Sequence, residues 1–590
     1  MWLDGWVAAC LVPLACWLLL SSLDDLALAV AFLYRALRRP PAPVPKPAAR
    51  RRRIAVFVPL WQEHGVIEEM VEHNLAANRY QPCDLFLGAY PNDARTQAAV
   101  GALTRRFPNV HLALCPHDGP TSKADCLNWI FQRMLLFEEE HAVRFEIVVT
   151  HDAEDVIHPD ALKRINAAMD SYDMVQIPVL PLPTSFREWT HGVYCDEFAE
   201  FQLKDIPMRQ AWGAFLPSNG VGTGYSREVL ERLAAAHTNR VFDPACLTED
   251  YENGFRIHAF GRPQMFVPLR RGVDGFLATR EYFPRSFSAA VRQRARWVTG
   301  IALQAWEAHG WQAPPPDLYW FWRDRKGLVG NLVAPLTNLL YLYGWATWAA
   351  SRLTGRAWTL GAELGVVQPW LLVSTAALAA AQVAIRCACV TRVYGARFAL
   401  GVPLRMFWGN AINFLATLIA LRRYLWARLR GRPLVWVKTE HTYPTRAALL
   451  PHRRRLGEIL VGSAYLEAAD LEYALASKPP DRRLGEHLVA LGKLSEADLY
   501  EALSLQQSMP FGRPAPEAVS PAVTRTLPAH MARKWKVLPF RVRAGRLFVL
   551  GPELPTDEMT RELSRFCSLE IDFQLVTPSD YEELAREYLP

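Results

Sequence analysis

Hydrophobic and polar positions along the chain fall into two regimes. Residues 6–20 are almost wholly apolar, and after Ser21-Ser22-Leu23-Asp24-Asp25 a second apolar stretch runs to Tyr34. An acid pair inside such a run is costly in hydrocarbon, so it predicts the end of one spanning helix or a re-entrant turn, with room for a second, shorter span. Neither a charged start nor a small-residue cleavage site marks a signal peptide. Leu328 to Ala350 and Val366 to Val390 are each long enough to cross about 30 Å of hydrocarbon. The stretch after them carries Arg386, Arg392, Arg397 and Arg405, which places it on the cytoplasmic side. Phe407 to Leu421 is apolar but short, with Arg422, Arg423, Arg428, Arg430 and Arg432 behind it. Positive flanks on both sides predict an amphipathic helix lying on the inner surface.

The intervening segment alternates like a soluble α/β protein. Ile54-Ala55-Val56-Phe57-Val58-Pro59 has the pattern of a buried strand, followed by a helical stretch from His64 to Arg79. Asp84 to Tyr90, Val110 to Cys115 and Phe145 to Thr150 repeat the strand pattern, with helical stretches between. Apolar strands alternating with helices predict a mainly parallel sheet that binds ligands at strand C-termini. No GxGxxG or GxxxxGK[ST] occurs, so dinucleotide and P-loop chemistry are unsupported.

Composition changes this picture little. Of the 590 residues, 51% are hydrophobic and 21% charged, and the net charge of +7 lies largely beside apolar segments, as in Arg35, Arg38, Arg39 and Arg50 to Arg53. That placement reads as membrane anchoring. No aromatic–basic interleaving supports a nucleic-acid polymer as partner. The ten cysteines show no CxxC spacing, and Cys387 and Cys389 stand too close for ordinary zinc ligation, so they read as thiols in a reducing compartment.

Acidic residues stand where the strands end. Tyr90-Pro91-Asn92-Asp93 follows the second strand and His151-Asp152-Ala153-Glu154-Asp155 the fourth. Carboxylates on a strand tip suit a hard cation bridging to phosphates, although an Asp-rich turn alone looks the same. Leu247-Thr248-Glu249-Asp250 puts two acids ahead of a helix, which an N-cap explains equally well. Lys123 is either a phosphate partner or plain helix surface. In Gln293-Arg294-Ala295-Arg296-Trp297, Gln293 and Arg296 share a helix face, and an arginine there can grip a diphosphate bidentately.

Taken in order, Asp93, Lys123, Asp152 with Glu154, Thr248-Glu249-Asp250 and Gln293-x-x-Arg296-Trp297 resemble the membrane-bound processive members of glycosyltransferase family 2, over roughly residues 54–440. The resemblance implies a GT-A fold and a nucleotide diphosphate donor, a UDP-sugar. It implies that Asp93 and Lys123 bind the donor and that Asp152 and Glu154 hold Mg²⁺ or Mn²⁺ on the diphosphate. Asp250 would deprotonate the acceptor hydroxyl, Gln293 and Arg296 would hold the leaving group, and Trp297 the acceptor. Asn219-Gly220-Val221-Gly222-Thr223-Gly224 resembles the family's acceptor-side loop, which brings Gly222 and Thr223 to the acceptor. The second acid of the metal pair is Glu154 rather than aspartate, and Asp155 beside it leaves open which of the two reaches the metal.

The last third repeats itself. Arg455-Leu456-Gly457-Glu458 recurs as Arg483-Leu484-Gly485-Glu486, and Asp470-Leu471-x-x-Ala474-Leu475 recurs as Asp498-Leu499-x-x-Ala502-Leu503. Duplicated helical hairpins are the direct reading. This pattern, with Val537 to Phe540 and Leu547 to Leu550 behind it, resembles the MshE-type N-terminal domain of secretion and pilus ATPases. The resemblance implies cyclic di-GMP binding, with Arg455 and Arg483 on guanine or phosphate, Leu456, Gly457, Leu484 and Gly485 shaping the pocket, and Gln506 closing the motif. The first repeat departs from the pattern at Ala464 and Lys478. No P-loop follows, so a secretion motor is excluded.

The expected organisation is an N-terminal membrane segment at 1–40, a basic Pro-rich linker at 41–53, and an α/β GT-A catalytic domain at 54–327. Transmembrane and interfacial helices follow at 328–440, then an α-helical and α+β MshE-type regulatory domain at 451–590. The reading is a multi-pass enzyme of the bacterial inner membrane, with its catalytic and C-terminal domains cytoplasmic. It would add sugar to a glycan acceptor under cyclic di-GMP control. The alternative is a catalytically idle scaffold that senses the dinucleotide and docks an outer-membrane export or receptor partner. The intact catalytic set favours the enzyme.

Overall fold

The computed structural model describes residues 2–38, 50–272, 275–364, 367–431 and 455–589, apart from 463–464, 508, 515, 544–545 and 568. Most of the linker at 41–53, and Ala464, lie outside these residues. The chain divides into two compact units: residues 1–67, 81–105 and 110–444 form one, and 68–80, 106–109 and 445–590 the other.

The first unit is built on a seven-stranded sheet. Its strands are β1 (Ile54–Pro59), β2 (Cys83–Ala89), β3 (Val110–Leu114), β4 (Ile147–Thr150), β5 (Met174–Gln176), β7 (Thr223–Ser226) and β8 (Gln264–Phe266), in the order β3-β2-β1-β4-β7-β5-β8. A further strand, β6 (Val179–Pro181), pairs in parallel with Thr279–Glu281 beside this sheet. Strands β3, β2, β1 and β4 are parallel, and all four were legible as apolar runs. β7 is different: it runs antiparallel to both β4 and β5 in the middle of the sheet. The sheet is therefore mixed, because four residues rich in glycine and hydroxyls still close the ladder when both neighbours supply partners. The order reverses beside β1, which opens a crevice at the C-terminal ends of β1 and β4. Phe57, Phe86 and Phe145 fill the core with Phe137 of Lys123–His141, a nineteen-residue helix with Ser122 accepting from Asp125 N at its start.

The first apolar run is one helix, Trp2–Arg38, unbroken at Asp24 and Asp25. No re-entrant turn forms, because partners far along the chain neutralise both acids. Asp24 accepts from Tyr319 Oη at 2.6 Å and pairs with Arg323 and Lys326 at 2.8 Å, while Asp25 pairs with the same two cations at 2.9 Å. At the other end Asp4 accepts from Tyr343 Oη and Thr359 Oγ1, each at 2.8 Å. The helix between Asp4 and Asp24 is about 30 Å long at 1.5 Å per residue, the thickness of a hydrocarbon core.

Among the described residues three helices are long and apolar enough to cross a membrane: Trp2–Arg38, Trp370–Tyr394 and Val402–Leu429. Leu328 to Ala350 lies within a longer helix, Pro315–Thr354, which is not one of the three. Phe407 to Leu421, expected as a short surface helix, is the middle of twenty-eight helical residues. The arginine flank misled here. Arg405 is buried in a bidentate pair with Asp196, at 2.7 and 2.8 Å, instead of facing lipid headgroups.

In the second unit two helical hairpins, Leu456–Gly462 with Ala468–Ser477 and Leu484–Ala490 with Glu496–Gln507, precede a three-stranded sheet. Arg546–Gly551 is its central strand, antiparallel to Leu538–Arg543 and parallel to Glu570–Leu575. Apolar side chains bury both faces of that sheet, with Leu538, Phe540 and Leu550 in one cluster and Leu547, Val549 and Leu563 in another.

Candidate active site

The crevice above β1 and β4 is a cavity of about 130 Å³. Asp152 and Glu154 enter it from the tip of β4, Lys123 from the first turn of its helix, and Thr248, Glu249 and Asp250 from the start of Glu249–Ala259. Gln293, Arg296 and Trp297 close it from the helix Phe287–Trp297, and Trp61 and Tyr90 form an aromatic wall at 5.5 Å between ring centroids. Motifs spread over more than 140 positions of sequence thus converge on one cavity.

The acids divide the work. Asp155 is fully buried, and its Oδ2 meets His151 Nδ1 at 2.6 Å and accepts from Asp152 N at 3.0 Å. Burial raises it to about 6 despite that His151 bond. It braces the loop, whereas Glu154 lines the cavity. Lys123 Nζ lies 2.5 Å from Asp152 Oδ1 and 3.3 Å from Gly220 O. Burial alone would lower the Lys123 pKa, but Asp152, Glu249 and Asp250 together raise it, so its charge is secure. Burial pushes Asp250 above the usual carboxylate range against the pull of Lys123 and Arg296. Burial and the charge of Asp250 raise Glu249 to about 7.

Four polar atoms in this wall are buried without a hydrogen-bond partner among the described residues: Asn219 Nδ2, Thr248 Oγ1, Gln293 Oε1 and Arg296 Nε. Such atoms cost free energy unless a ligand or water satisfies them.

Some expected site residues lie elsewhere. Asp93 does not line the cavity: its Oδ2 accepts from Gln62 N at 2.6 Å and its Oδ1 from Thr96 N at 3.3 Å, so it fixes the loop after β1 to the start of Ala94–Arg106. Gly222 and Thr223 also fall behind the wall. Thr223 is fully buried and bonds Gln176 and Ser218, and a Cβ on Gly222 would lie 2.5 Å from Thr279 Oγ1. Their small size serves sheet packing. Gly220 is the glycine at the site, with φ of +78° and a would-be Cβ 2.7 Å from Asp250 Oδ2. Sequence reasoning missed Glu281. It lines the cavity from beside β6, and burial with Asp155, Glu154 and Asp152 nearby raises it well above its ordinary value. No motif announces it.

A second cavity of about 520 Å³ shares Asn219, Thr248, Asp250, Glu281, Phe283 and Trp297 with the first. From there it runs past Glu200, Lys204 and Asp205 to Arg323 and Arg386, in the layer of the long helices.

The C-terminal candidates are arranged differently. Arg455 and Arg483 are exposed at the starts of matching helices, where each backbone N donates to the glutamate three residues on, at 3.4 Å. Gly457 and Gly485 are buried against the recurring leucines, with a would-be Cβ on Gly457 2.8 Å from Leu471 Cδ1 and one on Gly485 against Leu499. Leu456 and Leu484 are half-buried beside them, and Gln506 sits near the end of Glu496–Gln507. Lys478, which departs from the pattern, donates to the carbonyls of Pro479 and Arg482 at 3.0 and 2.9 Å.

The family model described as glycosyltransferase like family 2 matches residues 51–300, and the MshEN domain model matches residues 507–590. The chain is 34% identical over 583 residues to bacteriophage adsorption protein B of Escherichia coli strain K12, covering 93% of this chain and 77% of the relative. The figures are the same for bacteriophage N4 adsorption protein B of Escherichia coli O157:H7. Among solved structures, the mannosyltransferase PcManGT from Pyrobaculum calidifontis, in complex with GDP-Man and Mn²⁺, is 20% identical. It covers 72% of this chain and 99% of its own, with a TM-score of 0.41. MshE with cdg is 29% identical over 23% of this chain and 99% of its own, with a TM-score of 0.21.

Proposed function

The chain belongs to the bacteriophage adsorption protein B family, with a GT-A-like glycosyltransferase domain and a C-terminal MshEN domain, and from that premise we propose that it is an inverting, inner-membrane hexosyltransferase. It takes a UDP-sugar as donor, builds a surface or exported polysaccharide, and answers to cyclic di-GMP. One observation carries the reading: Asp250 stands in the wall shared by the two cavities, with the Lys123, Asp152 and Arg296 set on the first and an open path on the second.

The donor diphosphate occupies the first cavity and the acceptor enters through the second. Asp250 takes the proton of the acceptor hydroxyl as its oxygen bonds to the anomeric carbon. The bond from that carbon to the diphosphate breaks, and the nucleotide leaves with the electron pair. Arg296 and Lys123 neutralise its charge from fixed positions. The hard oxygen donors of Asp152 and Glu154 fit a divalent cation, Mg²⁺ or Mn²⁺, which would supply further neutralisation of the diphosphate. Gln293 Oε1 and Arg296 Nε gain partners when the donor binds. Arg455 and Arg483, with Gln506, are the contacts for cyclic di-GMP, and the exported glycan would meet an outer-membrane export or receptor protein.

The test is donor hydrolysis by the purified protein across a panel of nucleotide sugars, with and without cyclic di-GMP. Turnover of one donor that Asp250→Asn abolishes is the expected result. No turnover with any donor would falsify the enzyme reading.

A further inference from the structure

Where the helices Trp2–Arg38 and Trp370–Tyr394 end together, a cavity of about 570 Å³ opens that no step of the transfer uses. Phe32 from the first helix, Cys389 from the second, and Leu203, Pro207, Phe266 and Leu269 give it apolar walls. Arg35 and Arg392, each in the last turn of its helix, add two cations to its lining.

These arginines differ from their neighbours. Arg386 pairs with Glu200 at 2.7 Å, Lys204 with Glu200 and Asp205 at 2.9 and 3.0 Å, and Arg323 with Asp24 and Asp25. Among the described residues no carboxylate pairs with Arg35 or Arg392. The cavity also holds an unsatisfied amide: Gln202 is fully buried in its wall, and neither Oε1 nor Nε2 has a partner among the described residues. A buried amide with both ends unmet calls for a ligand that accepts and donates.

We propose that this cavity binds one anionic phospholipid, its phosphate between Arg35 and Arg392 and its upper acyl chain along the apolar wall. Phosphatidylglycerol fits each part. Its phosphodiester takes the two guanidinium groups. Its ester carbonyls accept from Gln202 Nε2, and its glycerol hydroxyls donate to Gln202 Oε1. Basic pockets between the ends of spanning helices are where such headgroups bind. The inference rests on the reading that these helices cross a bilayer. Gln202 and Leu203 belong to a π-helical turn, Phe201–Asp205, whose Phe201, Lys204 and Asp205 face the second cavity, so the lipid would back the wall of the acceptor path.

The test uses the full-length protein, delipidated in detergent, with native mass spectrometry counting retained lipid after adding phosphatidylglycerol, phosphatidylethanolamine or glycerol 1-phosphate. One phosphatidylglycerol should be retained per chain in preference to the other two. Affinity should fall about fivefold for Arg35→Gln or Arg392→Gln and about thirtyfold for the pair. Ala388→Trp, which fills the cavity and leaves both charges, should also expel the lipid while the protein elutes as wild type. Equal retention of phosphatidylethanolamine, equal binding of glycerol 1-phosphate, or wild-type affinity in the double variant would each overturn the proposal. Because the measurement needs no turnover, its failure leaves the transferase reading standing, and an inactive protein that still selects phosphatidylglycerol would do the reverse.

Discussion

The catalytic cavity and the C-terminal repeats both present arginines, yet in opposite physical states. In the cavity, Arg296 has a buried Nε with no partner among the described residues, and the acids Glu249 and Asp250 are held above their usual range. In the repeats, Arg455 and Arg483 are exposed, and the recurring glycine and glutamate around them already do structural work, packing a hairpin and capping a helix. The first region buries its polar groups around an open cavity. The second offers its arginines at the surface. Unsatisfied burial is therefore the stronger pointer to chemistry, and repetition the stronger pointer to architecture.

The difference can be broken most sharply at Asp250. Asp250→Asn should lower kcat by about 10²–10⁴-fold, the worth of a general base, while UDP affinity measured by calorimetry stays near wild type. A next, smaller effect separates the repeats from each other. Arg483→Ala should weaken cyclic di-GMP binding by about tenfold to a hundredfold, the cost of charge-assisted hydrogen bonds, and Arg455→Ala by less. The asymmetry follows from Lys478, which spends its ammonium on local carbonyls where the second repeat has Gln506. Equal losses in titration calorimetry would erase it.

Packing gives the third contrast. Gly220→Ala forces a left-handed backbone and drives a methyl at Asp250, so it should cost about 1–2 kcal/mol of stability and most of the activity. Gly485→Ala presses on the whole end of buried Leu499, from both Cδ atoms to Cγ, and should cost about 1–3 kcal/mol, read in thermal melts, with turnover unchanged in the absence of cyclic di-GMP. The smallest effect is on pH. Asp250 must be ionised to act, and its raised pKa means that activity falls on acidification at a higher pH than for an ordinary aspartate. Lys123 lowers the Asp250 pKa, so Lys123→Met should move the acid limb of kcat/KM further upward.

The four parallel strands are legible because apolar runs are local properties of sequence, whereas Asp152, Glu154, Asp250, Gln293, Arg296 and Trp297 stand out only as an ordered set that resembles a family, each motif alone matching a turn, a cap or a helix surface. What stayed hidden was set by distant partners. β7 looked like a glycine loop because its identity as a strand comes from β4 and β5 on either side. Gly222 and Thr223 were read as acceptor contacts, but Thr279 and Gln176 decide where they point. Asp93 follows a strand as a ligand would, and only the Gln62 N–H shows that its carboxylate is already engaged. Glu281 lies in no motif at all, and the full length of the helix Val402–Leu429 is masked in sequence because nothing local places Asp196 beside Arg405.

The pairing of Asp24 with Arg323 sets a timetable for synthesis. The 299 positions that separate them take about 15–60 s to translate at 5–20 residues per second. Through that interval Asp24 and Asp25 have neither of their counter-charges, Arg323 and Lys326. A chain truncated before Arg323 presents the quality-control proteases with an unpaired, acid-bearing helix.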